Sequence, residues 1–268
     1  MLITNFRWKK VEKDIFDPEL LIRDKEKIKT IPLLNMDIKF LIGNRFCVGY
    51  SKNGNMFPCP KNNMVVKGYQ CETCKQMDEN LPCMKCTGIC KNLIKRKECM
   101  DTEYFIYLAV FGPLLKVGIS RGSRLKHRLI EQGADFGVKI AQIRDGRLAR
   151  VYEQKIKNCL DIVDRIKGNK KYENLNSDPS LSIRKIYQAI NKLKSSEFST
   201  ILCFPEIYDL RAYYNLVDAI PEFMKIETGL KIIGRIVSVK GNLIVVKNVE
   251  RHACFNAHEL IGREIREA

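Results

Sequence analysis

The chain has 268 residues, enough for two or three domains, and its hydrophobic content of 45% is ordinary for a folded protein. Its charge is not ordinary: 47 Lys and Arg against 31 Asp and Glu leave +16, which draws polyanions and puts nucleic acid ahead of a membrane surface, since no basic amphipathic helix with a broad apolar face stands out. The first ten residues lack the basic-then-apolar order of a secretory signal, and no apolar run approaches bilayer length, so the sequence implies a cytoplasmic protein.

In chain order, residues 1–46 form a β-rich segment, with short alternating runs at 31–35 and 36–42 and a turn at Gly43-Asn44. Residues 47–100 are a cysteine-rich module, poor in aliphatic side chains and interrupted by Pro58, Pro60 and Pro82. Composition then changes at Asp101. A buried strand over Tyr104–Phe111 turns at Gly112-Pro113 into a partner over Leu114–Ile119. Ser123 is placed to cap a helix that runs to Gln132 and stops at Gly133. A strand follows at Val138–Ile143, then a turn at Asp145-Gly146 and a helix over Arg147–Arg165. Residues 101–166 thus read strand, strand, helix, strand, helix. Residues 167–200 read as a helical connector, with Ile183, Ile186, Ile190 and Leu193 on one face. Residues 201–268 are β-rich, with a hairpin around Lys240-Gly241-Asn242, suggesting a small barrel or sheet platform. The fold class is α+β, multi-domain.

Eight of the eleven cysteines lie between Cys47 and Cys99. Cys71/Cys74 and Cys83/Cys86 are Cys-x-x-Cys pairs, and Cys47, Cys59, Cys90 and Cys99 flank them. A two-residue gap points both thiolates of a knuckle at one ion, and two such knuckles complete a tetrahedral zinc shell. Eight thiols fill two four-sulfur sites, or one site with thiols to spare; the spacing departs from that of bacterial iron–sulfur ferredoxins. A disulfide framework would require an oxidising compartment. A segment that buries so little apolar surface takes its folding energy from the metal. Cys159, Cys203 and Cys254 lie outside the cluster among apolar neighbours. A thiolate-dependent RNA- or base-modifying enzyme would need one of them exposed and unligated.

The strand–strand–helix–strand–helix order of 101–166, with Phe105-Ile106-Tyr107 on its first strand, Lys116-Val117-Gly118 on its second, Arg128 (or Arg124 one turn earlier) on the first helix and Glu153 on the next, resembles the GIY-YIG nuclease domain. The resemblance implies phosphodiester hydrolysis. Tyr107 would orient or deprotonate water, and Arg128 would clamp phosphate oxygens. Glu153 would hold magnesium or manganese. Lys116 stands where that family has a second tyrosine. It can meet a phosphate as a point charge or serve as a base, and the lost phenol equally fits a fold kept for binding without cleavage. Cations cluster beside this constellation: Lys91, Lys95, Arg96 and Lys97 upstream, then Arg121, Arg124 and Lys126 before the first acid, Glu131.

The whole layout also resembles the family called domain of unknown function 2797. The resemblance rests on Leu34-Asn35, the cysteine cluster, Tyr107-Leu108-Ala109, Lys116–Ser120, the run Arg128–Ala134 and His258–Gly262. It implies architecture and no activity. The sequence therefore supports a zinc-containing nucleic-acid-binding protein, with RNA (tRNA or the ribosome) favoured over DNA, or alternatively a divalent-metal-dependent endonuclease.

Overall fold

The computed structural model describes residues 1–268 except Glu26, Lys85, Thr87, Lys91, Ile94 and Glu250. Lys91, one of the expected cations, therefore lies outside the described residues. The chain opens with β1 (Leu2–Glu12), β2 (Ile15–Asp24), β3 (Lys27–Pro32) and β4 (Asp37–Arg45), followed by the small hairpin β5 (Tyr50–Lys52) and β6 (Asn55–Phe57) and by helix α1 (Glu72–Met77). Then come α2 (Leu81–Met84), α3 (Arg96–Asp101), β7 (Glu103–Phe111), β8 (Leu114–Arg121), α4 (Leu125–Gln132), β9 (Phe136–Arg144), α5 (Gly146–Leu160), α6 (Gly168–Glu173), α7 (Pro179–Lys194) and β10 (Leu202–Asp209). The chain closes with β11 (Glu222–Phe223), β12 (Lys231–Lys240), β13 (Leu243–Asn248), β14 (Arg251–Asn256) and β15 (Arg263–Glu267). The fold is mixed α+β and rich in strands. Among the described residues, no helix is long and apolar enough to cross a membrane.

The five expected segments gather into two compact units, a terminal one of Met1–Leu81 with Asn215–Ala268 and a central one of Pro82–Tyr214. In the terminal unit the two ends of the chain build one sheet, in the order β11-β14-β13-β12-β4-β15-β1-β2-β3. The first and last strands are neighbours, with Leu2 opposite Glu264. Alternating residues of β1 (Phe6, Trp8) are buried, and the Trp8 indole N–H donates to the Gly241 carbonyl at 2.8 Å. The turn expected at Gly43-Asn44 is not formed. Both residues stay within β4, because β12 and β15 pair on its two sides, and Gly43 leaves room for Glu264, whose Cβ would lie 3.0 Å from any Cβ placed there.

The central unit has a four-stranded antiparallel sheet in the order β10-β9-β7-β8. The strand–strand–helix–strand–helix succession of the sequence is present as β7-β8-α4-β9-α5. On one sheet face Ile106, Leu108 and Val110 join Ile156 of α5 and Ile186, Ile190 and Leu193 of α7 in a single core cluster. The expected connector helix is therefore a structural layer: its apolar face is buried, and burying such a face stabilises a helix more than its propensity does. β10 leaves the C-terminal segment to complete this sheet. On the other face α4 lies so close that Leu129 would collide with any Cβ at Gly137.

Two helix ends differ from expectation. Ser123 falls in a 3-10 turn before α4, whereas Gly133 (φ +74°) ends the helix as expected. Helix α5 starts under the Asp145 carboxylate, which accepts from the Arg147 and Leu148 N–H groups, and stops at Leu160 rather than Arg165. The next residues turn back to the sheet edge, where the Val117 N–H donates to the Val163 carbonyl at 3.1 Å.

Candidate metal centre and nucleic-acid interface

Cys47, Cys59, Cys71 and Cys74 meet in the terminal unit, their sulfurs all within 4.8 Å of one another. Cys47 follows β4 and Cys59 follows β6, so the β5-β6 hairpin brings these two together. Gly49 makes the approach possible, because at its φ of +101° a Cβ would sit 1.8 Å from the Phe57 carbonyl oxygen. Cys71 and Cys74 lie at the start of α1. The Cys59 and Cys71 sulfurs are 3.8 Å apart; four sulfurs at about 2.3 Å from a tetrahedral ion would be separated by about 3.8 Å, whereas a disulfide bond is only about 2.05 Å. All eleven cysteines are free thiols. The Cys71 N–H donates to the Cys47 sulfur at 3.2 Å. The Cys74 backbone amide holds the Cys71 thiol down to about 6, while burial pushes Cys47 and Cys74 up. Closing the site around a divalent cation would drive the protons off all four. Four thiolates at this spacing could hold a zinc ion.

The other expected ligands divide differently from the sequence pattern. The Cys71/Cys74 pair is completed by Cys47 and Cys59 and not by Cys83/Cys86. Cys83, Cys86, Cys90 and Cys99 belong to the central unit. Cys254 is fully buried and pushed up to about 12 by burial, Cys203 is raised by the same cause, and Cys159 packs against the central core. Cys254 is a core cysteine, and Cys159 and Cys203 are half-buried.

In the central unit Tyr107, Lys116, Arg128 and Glu153 come together. Tyr107 is 1% exposed. Its ring lies over Gly118, its partner across β7 and β8, where a Cβ would be 2.5 Å from the phenol oxygen. That oxygen accepts from Gln132 Nε2 at 2.7 Å. Burial raises the Tyr107 pKa, with Arg128 acting in the opposite sense. Glu153 is 3% exposed, and its carboxylate accepts from Arg150 at 2.8 Å. Lys116 is lowered to about 8, chiefly by burial and then by the neighbouring Arg128. Of the two candidate arginines, Arg128, whose side chain is half exposed, is the one that acts on Tyr107 and Lys116, although both it and Arg124 also meet Glu131.

The surrounding cations are more engaged than a count suggests. Glu131 folds back to meet Arg124 at 3.0 Å, His127 at 3.3 Å and Arg128 at 3.4 Å. Arg121 pairs with Glu98 at 2.6 Å, and Lys126 sits over the Tyr213 ring. Arg96 and Lys97 are exposed on α3, with Lys95 half-buried at its start.

A family model described as a protein of unknown function (DUF2797) matches residues 35–265, spanning both the four-cysteine cluster and the Tyr107–Glu153 constellation. The chain belongs to the DUF2797 family. No curated protein and no solved structure matches it.

Two residues of this DUF2797 member complete the constellation without having been singled out in its sequence. Gln132 follows Arg128 by four positions and Arg150 precedes Glu153 by three, the spacings that put side chains on one helix face. The signal was available in both cases. The Cys47–Cys59 pairing had none, because eleven intervening residues fix no knuckle until the hairpin between them is known.

Proposed function

We propose that this protein binds nucleic acid, RNA in the first place, through the basic central unit, and that Lys116, Arg128 and Arg150 grip a backbone phosphate there. The carrying observation is the state of Glu153. Its carboxylate is buried and held by Arg150, so it is not offered to a hydrated magnesium ion, which keeps several of its waters and needs an open carboxylate. Tyr107, buried and with its pKa raised, keeps its proton and serves as a frame for Arg128 and Gln132 rather than as a base. The cations beside it suit a sequence-independent backbone contact of the kind tRNA or rRNA offers. Zinc is the ion that the Cys47–Cys74 donor set fits best, and its part is to fold the segment that holds it.

A second reading, a metal-dependent endonuclease of GIY-YIG type, draws support from the convergence of Tyr107, Arg128 and Glu153 in one cluster. It requires Arg150 to release Glu153 to magnesium or manganese.

One experiment separates the two. Fluorescence anisotropy with labelled tRNA, an rRNA fragment and duplex DNA across a salt series is expected to give a linear fall of log K with log salt. Arg128→Ala and Lys116→Ala should each flatten the slope by about 1. Absence of salt-dependent binding overturns the proposal. Cleavage of the same probes with magnesium or manganese, lost in both Glu153→Ala and Arg128→Ala, would establish the second reading instead.

A further inference from the structure

We infer that Cys83, Cys86, Cys90 and Cys99 form a second four-sulfur zinc site, belonging to the central unit and independent of the one at Cys47–Cys74. The four occur within seventeen residues, as a two-residue knuckle followed by a third and a fourth thiol. The knuckle is formed at the backbone, where the Cys86 N–H donates to the Cys83 carbonyl at 3.3 Å across the end of α2. The Cys83 thiol lies against the Asn92 side chain and the Cys90 thiol on the Asn92 carbonyl at 3.3 Å, with Cys86 and Cys99 near enough to raise the Cys83 pKa. Among the described residues the Cys47–Cys74 sulfurs are the group that already stands within 4.8 Å of one another, so a metal would have to draw these four together. Cys99 comes from α3, one turn before β7, and its sulfur approaches Gly146 so closely that a Cβ there would be 2.6 Å away. A metal at these thiols would tie α2 and α3 together at the point where α3 meets the start of α5.

The chemistry of the segment calls for such a tie. Among the described residues of 82–101 no large apolar side chain is buried: Met84, Ile89, Leu93 and Met100 are all exposed. A segment with so little burial is ordered by coordination. Four thiolates around a divalent ion carry a net charge of −2, and Lys95, within electrostatic reach of Cys83, supplies a compensating cation. The second site also fixes α3, which presents Arg96 and Lys97 and holds Arg121 through Glu98. The first metal would order residues 47–74, and the second the edge of the central unit.

The test is a zinc count on full-length protein purified without chelator, by elemental analysis against protein concentration. Wild type is expected to hold two zinc ions per chain, Cys83→Ser/Cys86→Ser one, and Cys71→Ser/Cys74→Ser one. A wild-type count of one, or a Cys83→Ser/Cys86→Ser count equal to wild type, overturns the inference. Failure at Cys71→Ser/Cys74→Ser alone overturns the first site and leaves the second standing. A measurement that needs no variant accompanies the count: alkylation of the native protein followed by peptide mass analysis. Cys83, Cys86, Cys90 and Cys99 are expected to resist modification until a chelator is added; immediate modification of all four overturns the inference.

Discussion

The two units carry charge of the same sign in very different amounts. The terminal unit has 22 Lys and Arg against 17 Asp and Glu, and the central unit 25 against 14, a net of +5 beside +11 in segments of nearly equal length. The excess therefore sits with the Tyr107–Glu153 constellation. Net charge speaks to partners and not to fold, and here the folds differ as well. The terminal unit closes a broad sheet with the two ends of the chain and holds a thiol cluster beside it. The central unit sandwiches a small sheet between helices and draws its constellation from β7, β8, α4 and α5. On the proposed reading, the central unit is the one that meets the nucleic acid.

The largest expected effect tests the terminal side of that contrast. Stripping metal with a strong chelator should release residues 47–74, since coordination of a structural zinc is worth about 10–16 kcal/mol in small zinc-dependent folds and little buried apolar surface replaces it. Amide hydrogen exchange followed by mass spectrometry is expected to show protection lost over 47–74 and retained in β1, β4 and β12. Persistent protection at Cys47–Cys74 after metal removal would show that the segment folds on packing alone.

A smaller effect sharpens the central side. Gly118→Ala places a methyl group against the Tyr107 phenol, which Gln132 holds in place. Overpacking of this kind costs about 1–3 kcal/mol. Urea unfolding should register that loss, and RNA binding should weaken with it if Tyr107 frames Arg128 as proposed. Pairing the change with Tyr107→Phe, which keeps the ring and removes the oxygen nearest the new methyl, should recover part of the stability. No recovery would mean that the strain lies in the backbone of β8.

Much of the central unit was legible because its signals are local. The apolar run of Tyr104–Phe111, the Gly112-Pro113 turn and the stop at Gly133 each depend on neighbours a few residues away. The terminal unit was harder for the opposite reason. Leu2 pairs with Glu264, and no pattern near either end announces a partner at the far end of the chain. Gly43-Asn44 looked like a turn because glycine usually marks one, yet here the glycine serves a close strand approach. Val163 lay within the expected Arg147–Arg165 helix, but the left-handed Asp161 ended α5 first and sent Val163 to the edge of β8. The site residues were found by type and order. Their accessibility was not legible, since the burial of Glu153 arises only when α5 is laid against the sheet.

The smallest and most specific effect concerns Lys116. Burial holds its pKa at about 8, below the usual 10.5. The folded protein therefore binds fewer protons here than the unfolded chain between pH 8 and 10.5. The penalty of keeping this lysine charged is fully present below pH 8 and is relieved as the pH rises through that window. Lys116→Met should stabilise the protein at pH 7 and flatten the part of the wild-type stability gain that lies above pH 8. The opposite slope is expected for binding: as wild-type Lys116 loses its charge above pH 8, affinity for RNA should fall, whereas Lys116→Arg, which stays charged, should hold its affinity to pH 9. Urea midpoints and anisotropy titrations at pH 7, 8 and 9 measure both slopes on the same samples. Identical pH profiles for wild type and Lys116→Met would remove Lys116 from the phosphate grip, leaving Arg128 and Arg150 to account for it.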